Sequence, residues 1–335
     1  MPTESPLLTV VIPALNEAGV IGRCLSSLAR QDAARRCFEV IVADNGSSDN
    51  TREIARSFQG GLDLRILTQP HVSISTLRNF GAANARGRYL AFLDADCLAP
   101  RGWARTAAGT LGETEGLVTG APYRIPEDSG WVARAWYGGA AKRSGAVRYL
   151  PGGCLTMSRA TFEQLDGFDA SLETAEDYDI CRRAIHLGLP VCADERLAVV
   201  HLGTPDTVRG FFSKQLWHGK HVLRGLLKDI PAMQGAGSVA MGFLTAILVP
   251  ASVAGLALLA VVDYQPALLA PLLLFAAMCG LLAARACVKR RSFRYFVSLV
   301  ALNAVYCCAR ACCLAGFSRD YQTARAISRR KAEAA

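Results

Sequence analysis

Tyr89-Leu90-Ala91-Phe92-Leu93-Asp94-Ala95-Asp96 joins an apolar, β-prone run to two carboxylates spaced i and i+2. A short run of this kind, closed by acids, predicts a buried strand whose end opens on a loop. In an extended chain, side chains at i and i+2 point to the same side, so Asp94 and Asp96 would share a face. Two acids held together repel unless a cation lies between them. Mg²⁺ or Mn²⁺ favours such oxygen ligands and keeps places open for phosphate oxygens. A plain strand-to-loop turn, where Asp is common, accounts for the same residues.

Outward from this run the chain alternates strands and helices. Residues 8–13 (LTVVIP) predict a strand, after which Asn16 and Glu17 open a helix with Val20, Ile21, Cys24, Leu25 and Leu28 at 3.6-residue spacing. Residues 38–43 predict a second strand, running into Asp44-Asn45-Gly46-Ser47-Ser48-Asp49-Asn50-Thr51 and a further helix. Residues 64–67 form a third strand, and residues 74–85 a helix before the Asp94 strand. Continuous apolar strands alternating with helices predict an α/β fold, a mostly parallel sheet covered on both faces. Ligands of such sheets gather beyond the carboxyl ends of the strands, where Pro13, Asp44 and Asp94 all stand. Further on come Gly152-Gly153, Gly167-Phe168-Asp169, and Glu176-Asp177-Tyr178-Asp179 leading a helix to Gly188. A short strand over 199–201 ends in His201.

The formal charge of the 335 residues is +9, but it is unevenly placed. Residues 1–204 hold 21 Lys and Arg against 23 Asp and Glu; from 205 onward the count is 16 against 5. The basic part is also the apolar part, a combination that suits a segment beside anionic membrane lipid and not a nucleic-acid binder. Residues 207–230 interleave Phe211, Phe212, Lys214, Trp217, His218, Lys220, Arg224 and Lys228 with aliphatic residues, as an interfacial or an ordinary surface helix does. Residues 239–262 contain no charge, and neither do 267–284; each is long enough to cross a bilayer. Arg285, Lys289, Arg290, Arg291 and Arg294 place the end of that hairpin, and so the N-terminal domain, on the cytoplasmic side of an inner or plasma membrane. A third apolar stretch, 293–317, contains Asn303 and Arg310 and precedes a tail with Arg319, Arg325, Arg329, Arg330 and Lys331. A third full crossing would export that tail, so its topology stays open. None of the 12 cysteines forms a C-x-x-C pair, and several lie in apolar runs. Reduced, buried thiols and a reducing compartment are expected. Residues 1–8 show no signal-peptide pattern. The domains read as 1–205, a basic amphipathic region 206–235, membrane helices over 236–317, and a tail 318–335.

Taken in order, Val10-Val11-Ile12-Pro13-Ala14-Leu15-Asn16-Glu17, the Asp44 loop, Arg78-Asn79-Phe80-Gly81, Phe92-Leu93-Asp94-Ala95-Asp96, Gly167-Phe168-Asp169 and Glu176-Asp177-Tyr178-Asp179 resemble the family-2 glycosyltransferases of GT-A fold. The resemblance covers roughly residues 7–220, and the hydrophobic C-terminus is similar to the membrane anchor of many members. It implies a nucleotide-sugar donor lined by Pro13, Asn16 and Glu17, with Asp44 hydrogen-bonded to the base, usually uracil. Arg78 would face phosphate, and Asp94 and Asp96 would meet the ribose and the metal-bridged diphosphate, Asp96 being the direct ligand. His201 matches a histidine that closes the metal site in many GT-A enzymes. Gly152 and Gly153 would form a loop closely approached by substrate. Asp177, beside Glu176, would be the general base of an inverting transfer.

Each of these residues also has a structural reading: an Asx turn for Asp44, a surface charge for Arg78, a tight turn for the glycines. His201 could be a plain hydrogen-bonder, and Glu176 and Asp177 first-turn acids favoured by the helix dipole. Polyprenyl-phosphate sugar synthases of the superfamily use an acceptor that is already anionic and can dispense with a base. The Asp177 motif therefore implies a hydroxyl acceptor on a lipid, a lipid-linked glycan or an envelope polysaccharide precursor. Processive synthases carry Gln-x-x-Arg-Trp, which Gln215-Leu216-Trp217-His218 echoes without the Arg, so a single transfer is expected. A polyprenyl-phosphate glycosyltransferase and a non-catalytic nucleotide-binding membrane protein stand as alternatives.

Overall fold

The computed structural model describes residues 6–32, 37–139, 144–172, 174–219, 236–259 and 266–317. The basic residues Lys220, Arg224 and Lys228, the hairpin turn at 263–265 and the basic tail fall outside them. The chain divides into two compact units, Met1–Pro126 with Ala140–Leu202, and Glu127–Gly139 with Gly203–Ala335.

The first unit is built on the strands β1 (Leu8–Ala14), β2 (Phe38–Asp44), β3 (Leu64–Thr68), β4 (Tyr89–Leu93), β5 (Cys97–Leu98), β6 (Val118–Gly120), β7 (Gly145–Ala146), β8 (Cys154–Ser158), β9 (Val191–Ala193) and β10 (Val200–His201). Eight of them form one sheet in the order β3-β2-β1-β4-β8-β6-β9-β7, and β10 pairs with β5. Strands β3, β2, β1 and β4 are parallel, in register Val40↔Leu64, Val10↔Val40 and Val10↔Ala91. The expected parallel sheet is interrupted at β8, which runs antiparallel to both β4 and β6, with Leu93 opposite Cys154. Cys154-Leu155-Thr156-Met157 is apolar enough to be buried in either direction, so its pattern carries no sense of orientation.

The helices of this unit are α1 (Ile21–Ala29), α2 (Thr51–Arg56), α3 (Ile74–Ala83) and α4 (Trp103–Glu113), and, after one helix of the second unit, α6 (Arg159–Gln164) and α7 (Glu176–His186). That intervening helix is α5 (Trp131–Trp136). One face of the sheet buries Val10, Ile12, Val40, Val42, Ala91 and Leu93 with Ile21, Leu25 and Leu28 of α1 and Trp103 of α4. The other buries Val11, Ile41, Leu90 and Phe92 with Phe162, Phe168 and Ile180. This period-2 split, with both sides apolar, is why the strands read as unbroken hydrophobic runs. Phe92 sits against Phe162 and edge-on to Phe168, ring centroids 5.3 and 4.9 Å apart. Helix α1 starts at Ile21, later than Asn16 and Glu17 suggest, because Asn16 takes a left-handed conformation (φ 55°) that a helix cannot contain.

The second unit holds α5, α8 (Val208–His218), α9 (Ala236–Leu259), α10 (Ala270–Arg290) and α11 (Phe296–Leu314). Segment Glu127–Gly139, expected within the N-terminal domain, belongs to this unit. Val132 and Ala135 of α5 pack with Phe211 of α8 and Leu302 of α11. Arg290 donates to the carbonyls of Ala135 and Trp136 at 2.5 and 2.6 Å, taking up the free carbonyls at the end of α5. Ala240–Leu259, Ala267–Arg290 and Phe296–Leu314 are long and apolar enough to cross a membrane. Arg310, the charge inside the third, is buried and donates to the Gln215 backbone carbonyl and side-chain oxygen, both at 3.1 Å.

Candidate active site

The carboxyl ends of β2, β1 and β4 carry Asp44, the Pro13–Ala14 pair and Asp94 respectively. Strands lie about 4.8 Å apart, so the ends of β2 and β4, which flank β1, stand about 10 Å from one another across the sheet. Asp44 is fully buried. Its Oδ2 accepts from the backbone N–H groups of Gly46 and Ser47, both at 3.1 Å, an Asx turn with Gly46 at φ 80°. The Oδ1 atom is buried with no hydrogen-bond partner among the described residues. A buried carboxylate oxygen left in that state is costly. Asn16 stands opposite: its Oδ1 accepts from Ser48 N–H at 2.8 Å and its own N–H donates to Ser47 Oγ at 3.0 Å. Glu17 is buried and its N–H donates to Thr51 Oγ1 at 2.7 Å. Pro13 and Asn16–Glu17 thus form one wall with the Asp44 loop.

Strand β4 ends at Leu93, so Asp94 and Asp96 lie in the turn between β4 and β5, closed by Cys97 N–H on the Asp94 carbonyl at 3.0 Å. The strand pleat expected to align them therefore does not operate; the turn does. His201 reaches them through the β5–β10 ladder, where it pairs with Cys97. Its Nε2 lies 3.7 Å from Asp96 Oδ1. Asp94, Asp96 and His201 can each offer a ligand atom within 4.8 Å of the others. Two carboxylates and one imidazole are hard-to-borderline donors that suit Mg²⁺ or Mn²⁺. Asp94 is already engaged at both oxygens, receiving Arg78 Nη2 on Oδ1 at 2.8 Å and the Tyr123 hydroxyl on Oδ2 at 3.1 Å.

The resemblance sets Arg78 toward phosphate; in the structure its side chain is 2 % exposed, with Nη1 on Glu176 at 2.5 Å and Nη2 on Asp94. The helix α3 that carries it packs on β1 and β2, which turns the guanidinium inward. A Cβ on Gly152 would come within 2.8 Å of that guanidinium, and one on Gly153 would overlap the Asp94 carboxylate. The two glycines therefore let the loop pass directly over the acid cluster.

Glu176 and Asp177 open α7 after Ala175, which takes a left-handed conformation (φ 65°). Burial, followed by repulsion from Asp177, pushes the Glu176 carboxyl up to about 7, against the opposing pull of Arg78. Burial likewise raises the Asp177 carboxyl above its ordinary value, although it accepts hydrogen bonds. Those come from Gly152 N–H at 2.9 Å and the Tyr149 hydroxyl at 3.0 Å on Oδ2, and from Tyr178 N–H at 2.8 Å on Oδ1. A raised carboxylate in a fixed position is a better proton acceptor than an ordinary one. Tyr123 and Tyr149 were not singled out in the sequence; each stands in an irregular segment with no motif around it.

Residues 9–165 match the Glycosyl transferase family 2 sequence model. The chain is 35% identical over 139 residues to glycosyltransferase AglE of Haloferax volcanii, covering 41% of this chain and 46% of that protein. It is 28% identical over 225 residues to the pre-mycofactocin glycosyltransferase of Mycobacterium tuberculosis, covering 63% of this chain and 46% of the relative. The match thus spans less than half the length of either. Among solved structures, the mannosyltransferase PcManGT from Pyrobaculum calidifontis, in complex with GDP-Man and Mn²⁺, superposes with a TM-score of 0.65 at 20% identity, over 93% of this chain and 88% of that one. The strand order, the acid cluster at the carboxyl edge and these likenesses agree: the chain carries a glycosyltransferase family 2 domain of GT-A fold.

Proposed function

We propose that the protein is a membrane-anchored, inverting glycosyltransferase, moving a sugar from a nucleoside-diphosphate donor to a hydroxyl of a lipid, a lipid-linked glycan or an envelope polysaccharide precursor. The observation that carries this reading is the meeting of three features in one unit: the unpaired Oδ1 of buried Asp44, the Asp94–Asp96–His201 group, and Asp177 joined to that group through Gly152 and Gly153.

Asp44 Oδ1 accepts the imino N–H of the base, which uracil and guanine both offer and cytosine lacks. Pro13, Asn16 and Glu17 wall the nucleoside. Asp96 and His201, with Asp94 beside them, hold Mg²⁺ or Mn²⁺. When bound there, the cation offsets the charge that develops on the departing diphosphate. Asp94 is held in place by Arg78 and Tyr123. Asp177 takes the proton of the acceptor hydroxyl as it attacks the anomeric carbon from the side opposite the diphosphate. The Tyr149 hydroxyl and Gly152 N–H fix the carboxylate for that role. The three apolar helices anchor the chain in the membrane that carries the acceptor, with the N-terminal domain on the cytoplasmic side.

Screening nucleotide sugars for donor hydrolysis with Mn²⁺ or Mg²⁺, then repeating the best donor with membrane lipid extracts, tests this reading. Release of nucleoside diphosphate that rises with the extract supports it, and inertness toward every nucleotide sugar refutes it. Asp44→Asn presents an amide N–H to the base N–H where an acceptor is needed. A hydrogen bond to a charged group is worth about 1.5–3 kcal/mol, so the donor KM is expected to rise about 10- to 100-fold with kcat little changed. Steady-state kinetics against donor concentration measure it.

A further inference from the structure

We propose that Tyr123 is a positioning residue that fixes the Asp94 side of the cation site and ties it to the glycine loop behind Asp177; this rests on the cation reading above.

The Tyr123 hydroxyl lies 3.1 Å from Asp94 Oδ2 and 3.0 Å from the backbone nitrogen of Gly153. A phenol has one proton to give and lone pairs to receive with. The Gly153 N–H can only donate, so the hydroxyl accepts from it and must give its own proton to the carboxylate. The direction of both bonds is thereby set, with Asp94 Oδ2 as the acceptor. The same ring lies on the His201 imidazole, centroids 4.6 Å apart at 36°. One side chain therefore restrains two of the three candidate ligands. From Gly153 the link continues through the adjacent Gly152, whose N–H donates to Asp177 Oδ2 at 2.9 Å. A Cβ on Gly153 would lie 2.5 Å from the Tyr123 oxygen and overlap the Asp94 carboxylate, so this close approach depends on glycine. Arg78 makes a parallel connection from Asp94 to Glu176. The acid cluster and the base are in this way held by two arms, one cationic and one phenolic.

Groups that orient metal ligands from behind typically change metal affinity by about 10- to 100-fold when removed. Tyr123→Phe keeps the ring on His201 and removes only the hydroxyl. In the full-length detergent-solubilised protein without donor, titration with Mn²⁺ followed by electron paramagnetic resonance is expected to show an affinity about 10-fold weaker than wild type. Tyr123→Leu, which loses the ring as well, is expected to be weaker still. Thermal unfolding without metal checks that Tyr123→Phe folds. A measurement on the wild type alone reads the second half of the link: Mn²⁺ alone is expected to slow amide hydrogen exchange across residues 150–154. Mn²⁺ affinity of Tyr123→Phe within twofold of wild type, or no change in that exchange, overturns the role of Tyr123. Failure of the wild type to bind Mn²⁺ removes the cation reading, and the Tyr123 role with it; the two failures are distinguishable.

Discussion

Asp177→Asn is expected to lower kcat by about 10²- to 10⁴-fold, the usual contribution of a positioned general base. The substitution keeps the shape of the side chain, and an amide oxygen can still accept from Gly152 N–H or the Tyr149 hydroxyl, so the fold and the start of α7 should persist. What is lost is the ability to take a proton. Among the described residues the hydrogen bonds of Asp177 go to Gly152, Tyr149 and Tyr178 and not to the proposed nucleotide wall, so the donor KM should move by less than kcat. The pH profile gives an independent check. Burial raises the Asp177 carboxyl above its ordinary value of 3.8, and only the deprotonated form can act. The rate must therefore fall as pH drops through the raised value, with the acidic limb above the usual aspartate range near 4. Glu176, pushed to about 7 beside it, titrates in concert, so the limb belongs to the pair. Unchanged turnover in Asp177→Asn, or a rate flat down to pH 4, would sink the assignment of the base.

The parts of the site legible in the sequence were those made by short-range spacing. Asp44 with Gly46 and Ser47, Asp94 with Asp96, and Glu176 with Asp177 each sit at the end of a strand or the start of a helix. Three or four adjacent residues suffice to predict such positions. The partners that fix these acids are another matter. Tyr123 meets Asp94 from 29 residues away and Arg78 meets Glu176 from 98. Such contacts depend on strand order, and the insertion of antiparallel β8 beside β4 is what brings Gly153 against Asp94. Nothing in the local pattern around Cys154 announces that reversal. The inward turn of Arg78 is hidden for a related reason: a helix periodicity shows which face is buried but not whether a buried arginine finds carboxylates or a ligand. The same holds for Glu127–Gly139, whose short apolar helix packs with elements more than 70 residues later.

Asp96→Asn should be the more severe loss on the donor side. Of the three candidate ligands, Asp94 receives Arg78 and Tyr123 on its two oxygens, and Asp96, buried with His201 Nε2 3.7 Å from its Oδ1, is the proposed direct ligand of the cation. An amide at this position offers a neutral oxygen in place of an anionic one. If the cation contributes several kcal/mol to charge stabilisation, its loss corresponds to about a 10³-fold fall in kcat at ordinary Mn²⁺ concentration. Raising Mn²⁺ should recover part of that fall, because His201 and Asp94 remain. A second consequence separates metal loss from misfolding. In metal-free protein, two neighbouring carboxylates repel, and removing one charge should leave the unfolding temperature equal to or above that of wild type. Added Mn²⁺ stabilises any protein that binds it only when folded, by RT ln(1 + [L]/Kd). Wild type should therefore gain thermal stability with Mn²⁺ while Asp96→Asn gains little. An Asp96→Asn protein that keeps both the Mn²⁺-dependent rise and its turnover would show that the ion, if one binds, is held elsewhere.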